Sequence, residues 1–226
     1  MDFASNLSIV ESRIIRACDL AGRSRNDVRL VAVSKMHGAE RIREAHAAGQ
    51  RHFGENYAQE LEEKAEVLAD LPDIVWHFIG NLQTNKAKVV AKYAHYIHTV
   101  DRVELARELA KRLSTYNRTM GVLLEVNVSG EPQKHGCDPS SVEALANEVR
   151  THTPLELLGL MTVPPDDDVR TERAFSDLAA LAKKHDLREL SMGMSQDLEA
   201  AITHGATMIR IGTALFGERE KRVVGA

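Results

Sequence analysis

The chain has 226 residues, with 29 Lys+Arg against 33 Asp+Glu, a formal net charge of −4. Charged residues make up 27% and apolar ones 43%, the composition of a globular domain long enough to bury a sizeable core. The basic residues are scattered among acids rather than gathered on one face, which argues against nucleic acid as a partner.

The amino terminus, Met1-Asp2-Phe3-Ala4-Ser5, lacks a basic patch followed by an apolar run, so no secretory leader is expected. Leu7, Val10, Ile14, Ala17 and Ala21 share one helical face, which predicts an extra helix within residues 1–27, expected to cover the bottom of the domain that follows. From there short β-branched runs alternate with helical patterns. Strands are expected at Val28–Ser34, Arg51–Gly54, Ile74–Ile79, Tyr96–Val100, Gly121–Val128, Leu155–Met161, Leu187–Met192 and Thr207–Gly212. The intervening helices are expected at Ala39–Ala48, Tyr57–Ala69, Leu82–Tyr93, Arg102–Tyr116, Pro139–Thr151, Val169–His185 and Gln196–His204. Asp101 with Glu104 reads as a capping box, and Asp138-Pro139 places a capping carboxylate before a proline at the first helical position. Gly49 and Gly205 sit where helices should end in a left-handed residue. No run approaches the roughly 18 apolar residues of a membrane span. Cys18 and Cys137 are too few and too far apart for a disulfide framework or a zinc site. A cytoplasmic protein without a membrane partner is the expectation.

Eight strand–helix units imply parallel pairing, because each parallel pair needs a crossover. Residues 28–217 allow about 25 residues per unit, compact but adequate for a (β/α)8 TIM barrel, and no Gly-x-Gly-x-x-Gly follows the first strand to favour an open doubly wound sheet. The fold expected is therefore α/β, one barrel domain spanning the chain.

Barrels of this kind carry their chemistry at the carboxyl ends of the strands. Alternation sends Val31, Val33 and Lys35 to one side, and Met208, Arg210 and Gly212 to one side. If both sets face inward, a lysine and an arginine meet at the barrel mouth and call for an anion. Ser195 is expected to cap the helix after the seventh strand, while Gly212 permits close backbone approach and Thr213 adds a hydroxyl. Together these form a phosphate cradle on the loops after strands seven and eight. A lysine among apolar walls and near another cation is more readily neutral, and a neutral amine condenses with aldehydes. A phosphorylated aldehyde fits, either pyridoxal phosphate or the sugar-phosphate substrate of an imine-forming aldolase. Structural roles compete at each position: a solvated Lys35, an outward Arg210, Ser195 as a cap alone, Met161 and Tyr57 as packing residues, His77 as a satisfied core histidine, and Cys137 as an inert surface thiol.

Val31-Ala32-Val33-Ser34-Lys35, Phe53-Gly54-Glu55-Asn56-Tyr57 and His77-Phe78-Ile79-Gly80-Asn81-Leu82-Gln83-Thr84-Asn85-Lys86 resemble the pyridoxal phosphate homeostasis protein family. So do Leu190-Ser191-Met192-Gly193-Met194-Ser195 with Asp197, and Ile209-Arg210-Ile211-Gly212-Thr213 with Phe216-Gly217. The resemblance implies a fold like the barrel domain of bacterial alanine racemase. It implies an aldimine of pyridoxal 5′-phosphate on Lys35, phosphate held by Ser195, Gly212 and Thr213, and Arg210 facing the pyridine nitrogen. Asn56 would lie beside the ring, with Met161 as a packing contact. The family commonly has a threonine and often Lys-Pro soon after the lysine, where this chain has Met36-His37-Gly38.

The function expected is storage, buffering or delivery of pyridoxal phosphate without strong catalysis, with apoenzymes that use this cofactor as recipients. Gly217 to Ala226 looks too short for a substrate domain, and no apolar helix stripe calls for an obligate dimer, so a monomer is expected. The alternative is an amino-acid racemase or decarboxylase working with the same cofactor.

Overall fold

The computed structural model describes residues 2–217; the terminal segment 218–226 lies outside the described residues. Eight strands close a barrel in sequence order: β1 (Arg29–Val33), β2 (His52–Glu55), β3 (Val75–Phe78), β4 (Tyr96–Val100), β5 (Met120–Glu125), β6 (Leu155–Met161), β7 (Glu189–Ser191) and β8 (Met208–Ile211). Every adjacent pair is parallel, including β1 with β8, where Val31 lies opposite Arg210. Around them run α1 (Phe3–Leu20), α2 (Ala39–Ala47), α3 (Ala58–Val67), α4 (Ala87–Tyr93), α5 (Val103–Tyr116), α6 (Val142–Arg150), α7 (Asp168–Lys184), α8 (Leu198–Thr203) and the single turn α9 (Thr213–Phe216). The (β/α)8 barrel expected from the alternation is the fold.

Strand parity sorts the side chains. Leu30, Ala32, Ile209 and Ile211 belong to the large core between sheet and helices. Inside the barrel the apolar filling is a small plug of Leu123, Met161 and Met208, with Tyr96 packed against it. Val31 and Val33 are buried on the same side, and beside them lie the buried polar groups His77, His98, Ser191 and Arg210.

The extra helix sits elsewhere than expected. Asn6 donates from its side chain to the Leu215 carbonyl (2.9 Å), Arg13 pairs with Glu199 (2.7 Å), and Arg23 donates to the Ile202 carbonyl (2.8 Å). These contacts run from the carboxyl end of the barrel, at α9, to the lower end of α8. So α1 lies along the barrel wall, not across its base. The physical reason is the shortness of α9, which covers little of the outer faces of β8 and β1. Phe3, Val10, Ile14 and Ala17 take that place in the ring of helices, and Phe3 meets Phe216 at 5.1 Å between centroids.

Local signals were read with mixed success. Asp138 does cap its helix through Ser140 N (2.8 Å), and Gly49 and Gly205 have φ of +96° and +93°. Asp101 does not cap α5; its carboxylate is held by the Arg102 guanidinium at 2.6 Å, and Arg102 takes the capping position without a side-chain bond. Cys137 is buried rather than on the surface, where its backbone bridges Val126, and burial pushes its thiol up to about 12.

Ile14→Ala should lower unfolding stability by about 2–5 kcal/mol, because a fully buried side chain leaves a cavity. The same change at Leu20, 81% exposed, should stay within about 0.5 kcal/mol, as urea titration of both variants will show.

Candidate functional site

At the carboxyl end of the barrel the register brings the sequence-predicted residues together. Val33 pairs with Gly54, so Lys35 and Asn56 lie side by side two residues further along each chain. Ala32 pairs with Ile211, and a Cβ placed on Gly212 would come 3.4 Å from the Val33 carbonyl oxygen, so Gly212 adjoins the other side of the same segment. Arg210 N donates to the Gly193 carbonyl (2.9 Å), which ties the 193–195 loop to the end of β8. Lys35, Asn56, Ser195, Gly212 and Thr213 thus line one rim, with Arg210 set deeper.

The lysine stands on a braced backbone. On one side, the Ser34 carbonyl accepts from Lys64 Nζ (2.8 Å); on the other, Met36 N donates to Glu60 Oε2 (2.8 Å). Lys64 also pairs with Glu55 (2.7 Å) and Glu60 (2.9 Å), and Ser34 Oγ donates to Glu55 (2.6 Å). Burial raises the Glu55 carboxyl to about 7 against the opposing pull of Lys64 and Ser34. Met36 then takes a left-handed φ of +64°, and His37 stacks on Phe216 at 5.0 Å, so the departure from the family pattern folds back onto α9. None of Glu55, Glu60 and Lys64 was singled out from sequence; Lys64 is a buried lysine four residues after Glu60 on α3, and that spacing was the available signal.

Arg210 is inward, as parity required. Its Nη1 donates to Ser191 Oγ (2.6 Å) and its Nη2 to the Thr162 carbonyl (2.9 Å), with no carboxylate in hydrogen-bond contact among the described residues. Burial lowers it to about 10, with Glu125 and Asp197 opposing, so it remains a cation at neutral pH. Beneath it runs a row of imidazoles: His98 Nδ1 meets Ser191 Oγ (2.8 Å), His98 Nε2 meets His77 Nδ1 (2.9 Å), and His77 Nε2 meets His52 Nδ1 (2.9 Å). Burial above all holds His77 and His98 well below the ordinary imidazole value and His52 at about 4. His77 is thus a satisfied core histidine. His52, His98 and Ser191 were missed, although parity alone sends His77 and His98 inward.

Ser195 does not cap the next helix. Asp197 holds that position and turns its carboxylate back to Met194 N (2.5 Å), because the chain makes a turn at 195–197 before α8 begins. The Ser195 hydroxyl is half-buried and makes no hydrogen bond among the described residues, and Asn56 Oδ1 is buried without a partner. Gly212 has only ordinary contacts waiting for a Cβ, so the fold itself does not demand a glycine there. Met161 is buried in the plug below the mouth. Glu125 faces inward beside Met161, and burial, then Asp101, raise it to about 7. Tyr57 is exposed, and a separate cleft of about 580 Å³ opens among Arg25, Arg29, Arg188 and Thr207, away from every one of these strand ends.

The fold is a closed parallel barrel of eight strand–helix units with a lysine, a buried arginine and a half-buried serine at its carboxyl end, and residues 10–220 match the family described as alanine racemase, N-terminal domain. The pyridoxal phosphate homeostasis protein of Pseudomonas aeruginosa is 47% identical over 221 residues, 96% of each chain, and that of Escherichia coli is 39% identical over 97% of each. Among solved structures, PipY of Synechococcus elongatus with PLP bound is 37% identical, covers 96% of this chain and all of that one, and superposes with a TM-score of 0.82. The chain belongs to the pyridoxal phosphate homeostasis protein family. An alanine racemase of Clostridium difficile, 15% identical with a TM-score of 0.71, shares the fold, and this chain spans 59% of its length.

Lys64→Met should cost about 3–5 kcal/mol, since it leaves Glu55 buried without its cation, and adding Glu55→Gln should restore most of it in urea titrations. Glu125, raised from 4.5 to about 7, contributes stability that is fully present below pH 4.5 and lost as pH rises through 7. Between pH 4 and 8 the unsubstituted chain should therefore lose on the order of 3 kcal/mol relative to Glu125→Gln, read by denaturation at both pH values.

Proposed function

We propose that this chain binds pyridoxal 5′-phosphate covalently through Lys35 and acts in intracellular homeostasis of that cofactor, storing or buffering it and passing it to apoenzymes that need it. What supports the reading is the placement of Lys35, just past the end of β1, above the buried Arg210 of the adjoining β8, with Gly212 and Ser195 on the neighbouring loops. The residues present fit the group. An aldehyde needs an amine, a phosphate needs donors and room, and a ring needs polar edges. Ser195 supplies an unengaged hydroxyl, Gly212 a position with no Cβ, and Asn56 a buried oxygen without a partner. When bound, the cofactor supplies an aldehyde that condenses with a neutral amine and releases water.

This chain's own residues do the rest. The bonds to the Ser34 carbonyl and the Met36 amide fix the peptides on either side of Lys35, so its side chain leaves the backbone at a set place. Asp197, by taking the Met194 amide, shapes the loop that presents Ser195. Ser195 with the backbone at Gly212 and Thr213 would hold the phosphate. Arg210, held from below by Ser191 and Thr162, would present a fixed cation to the pyridine nitrogen, which disfavours ring protonation and weakens the ring as an electron sink. That points to holding rather than to strong carbanion chemistry. Full-length similarity to relatives named for homeostasis supports the same reading.

Purified protein mixed with pyridoxal phosphate should gain a visible absorption band, and borohydride should fix one phosphopyridoxyl group on Lys35, found by peptide mass. Lys35→Ala should lose both; an unchanged band in that variant overturns the assignment. Ser195→Ala and Arg210→Ala should weaken retention about tenfold each. Enzyme-like exchange of an amino acid α-hydrogen in heavy water would favour the racemase or decarboxylase reading instead.

A further inference from the structure

The polar row inside the barrel has a direction that atom types alone determine. Arg210 is a donor at every nitrogen, so Ser191 Oγ accepts its Nη1 hydrogen at 2.6 Å. A hydroxyl has one proton of its own. Its other neighbour in the row is His98 Nδ1 at 2.8 Å, and no other acceptor bonds to that oxygen among the described residues. Ser191 is fully buried, so its own hydrogen needs an acceptor, and His98 Nδ1 is the one within reach; a bare Nδ1 there satisfies it. His98 then carries its proton on Nε2 and donates it to His77 Nδ1, and His77 donates from Nε2 to His52 Nδ1, each at 2.9 Å. Turning one imidazole alone would set like atoms face to face, and turning all three would strand the Ser191 hydrogen. Tyr96 stacks on His77 at 4.6 Å and 6° between planes, and Arg29 lies 5.6 Å over the Tyr96 ring, so the row is clamped from the side.

We infer that His98, His77 and His52, acting through Ser191, are positioning residues that fix the Arg210 guanidinium at the barrel mouth, as a chain of neutral imidazoles each protonated on Nε2. This rests on the pyridoxal phosphate reading for what Arg210 faces, but the direction of the chain does not. His98 is two steps removed from any ligand. Its effect passes through the one proton that lets Ser191 accept from Arg210. A histidine with a proton on Nδ1 would strand the buried Ser191 hydrogen without an acceptor and favour a turn of the hydroxyl that weakens its bond from Arg210.

The test has two arms. Ring-nitrogen NMR of the full, ligand-free chain at neutral pH, with the three residues assigned by His→Gln variants, should show bare Nδ1 and protonated Nε2 at all three. A proton on Nδ1 of any of them overturns the chain. The second arm uses His98→Asn and His98→Gln. Asparagine places an acceptor where Nδ1 was; glutamine reaches only the Nε2 position. Dissociation constants should rise about tenfold in His98→Gln for pyridoxal phosphate and stay within about threefold in His98→Asn. With an analogue in which the pyridine nitrogen is replaced by carbon, the two variants should bind alike. Equal losses in both variants, or the same loss for both ligands, would mean a merely structural role and overturn the inference. An unsubstituted chain that binds neither aldehyde overturns the reading of the site and the assignment to Arg210, while the NMR arm still decides the direction of the chain.

Discussion

A guanidinium buried in a barrel must have acceptors, and the interior of this protein is arranged around that requirement. Arg210 lies at the top of β8, 5% exposed, with a charge it keeps at neutral pH. Its lower hydrogens are taken by a carbonyl and a hydroxyl, neither of them charged. A carboxylate in that place would have neutralised it. Neutral acceptors satisfy its hydrogen bonds while preserving its field, and the imidazoles beneath them must be uncharged for the same reason. The apolar plug of Leu123, Met161 and Met208 shares the interior with this polar row.

A second buried network braces the lysine from outside the barrel wall. Lys64 and Glu60, both on α3, bond the peptide groups on either side of Lys35, and Glu55, at the end of β2, accepts from Lys64 and the Ser34 hydroxyl. The two networks differ in kind. The one below Arg210 is neutral and directional, whereas the one behind Lys35 is ionic and holds by charge. Both lie beneath or behind the site proposed for the ligand.

Much of this was legible before any coordinates. Period-two alternation put Arg210 inside, where it is buried, and the eight-fold strand–helix pattern put it and the residues after β1 at one end of a closed sheet. What could not be read were contacts that depend on geometry across the barrel. The His98–Ser191 bond joins β4 to β7, 93 residues apart, through the interior, and alternation gives a direction but no partner. Ser195 was misread for a local reason. A serine before a helical pattern is ordinarily its cap, but the turn at 195–197 moved that role to Asp197. The first helix was misread for a global one, since its apolar stripe declared a buried face without saying which surface buries it.

Its position along the wall beside α8 and α9 bears on how the protein comes into being. The strand bearing the lysine and the strand bearing the arginine are the earliest and latest of the eight, and they touch only at the seam that shuts the ring. A nascent chain holds only part of the proposed site until its final strand has emerged. The amino-terminal helix, docked on the last two helical segments, acts as a latch over that seam. Occupancy of the mouth then reports completion of the whole ring, and any ligand bound there draws its stabilisation from the joint that is made last.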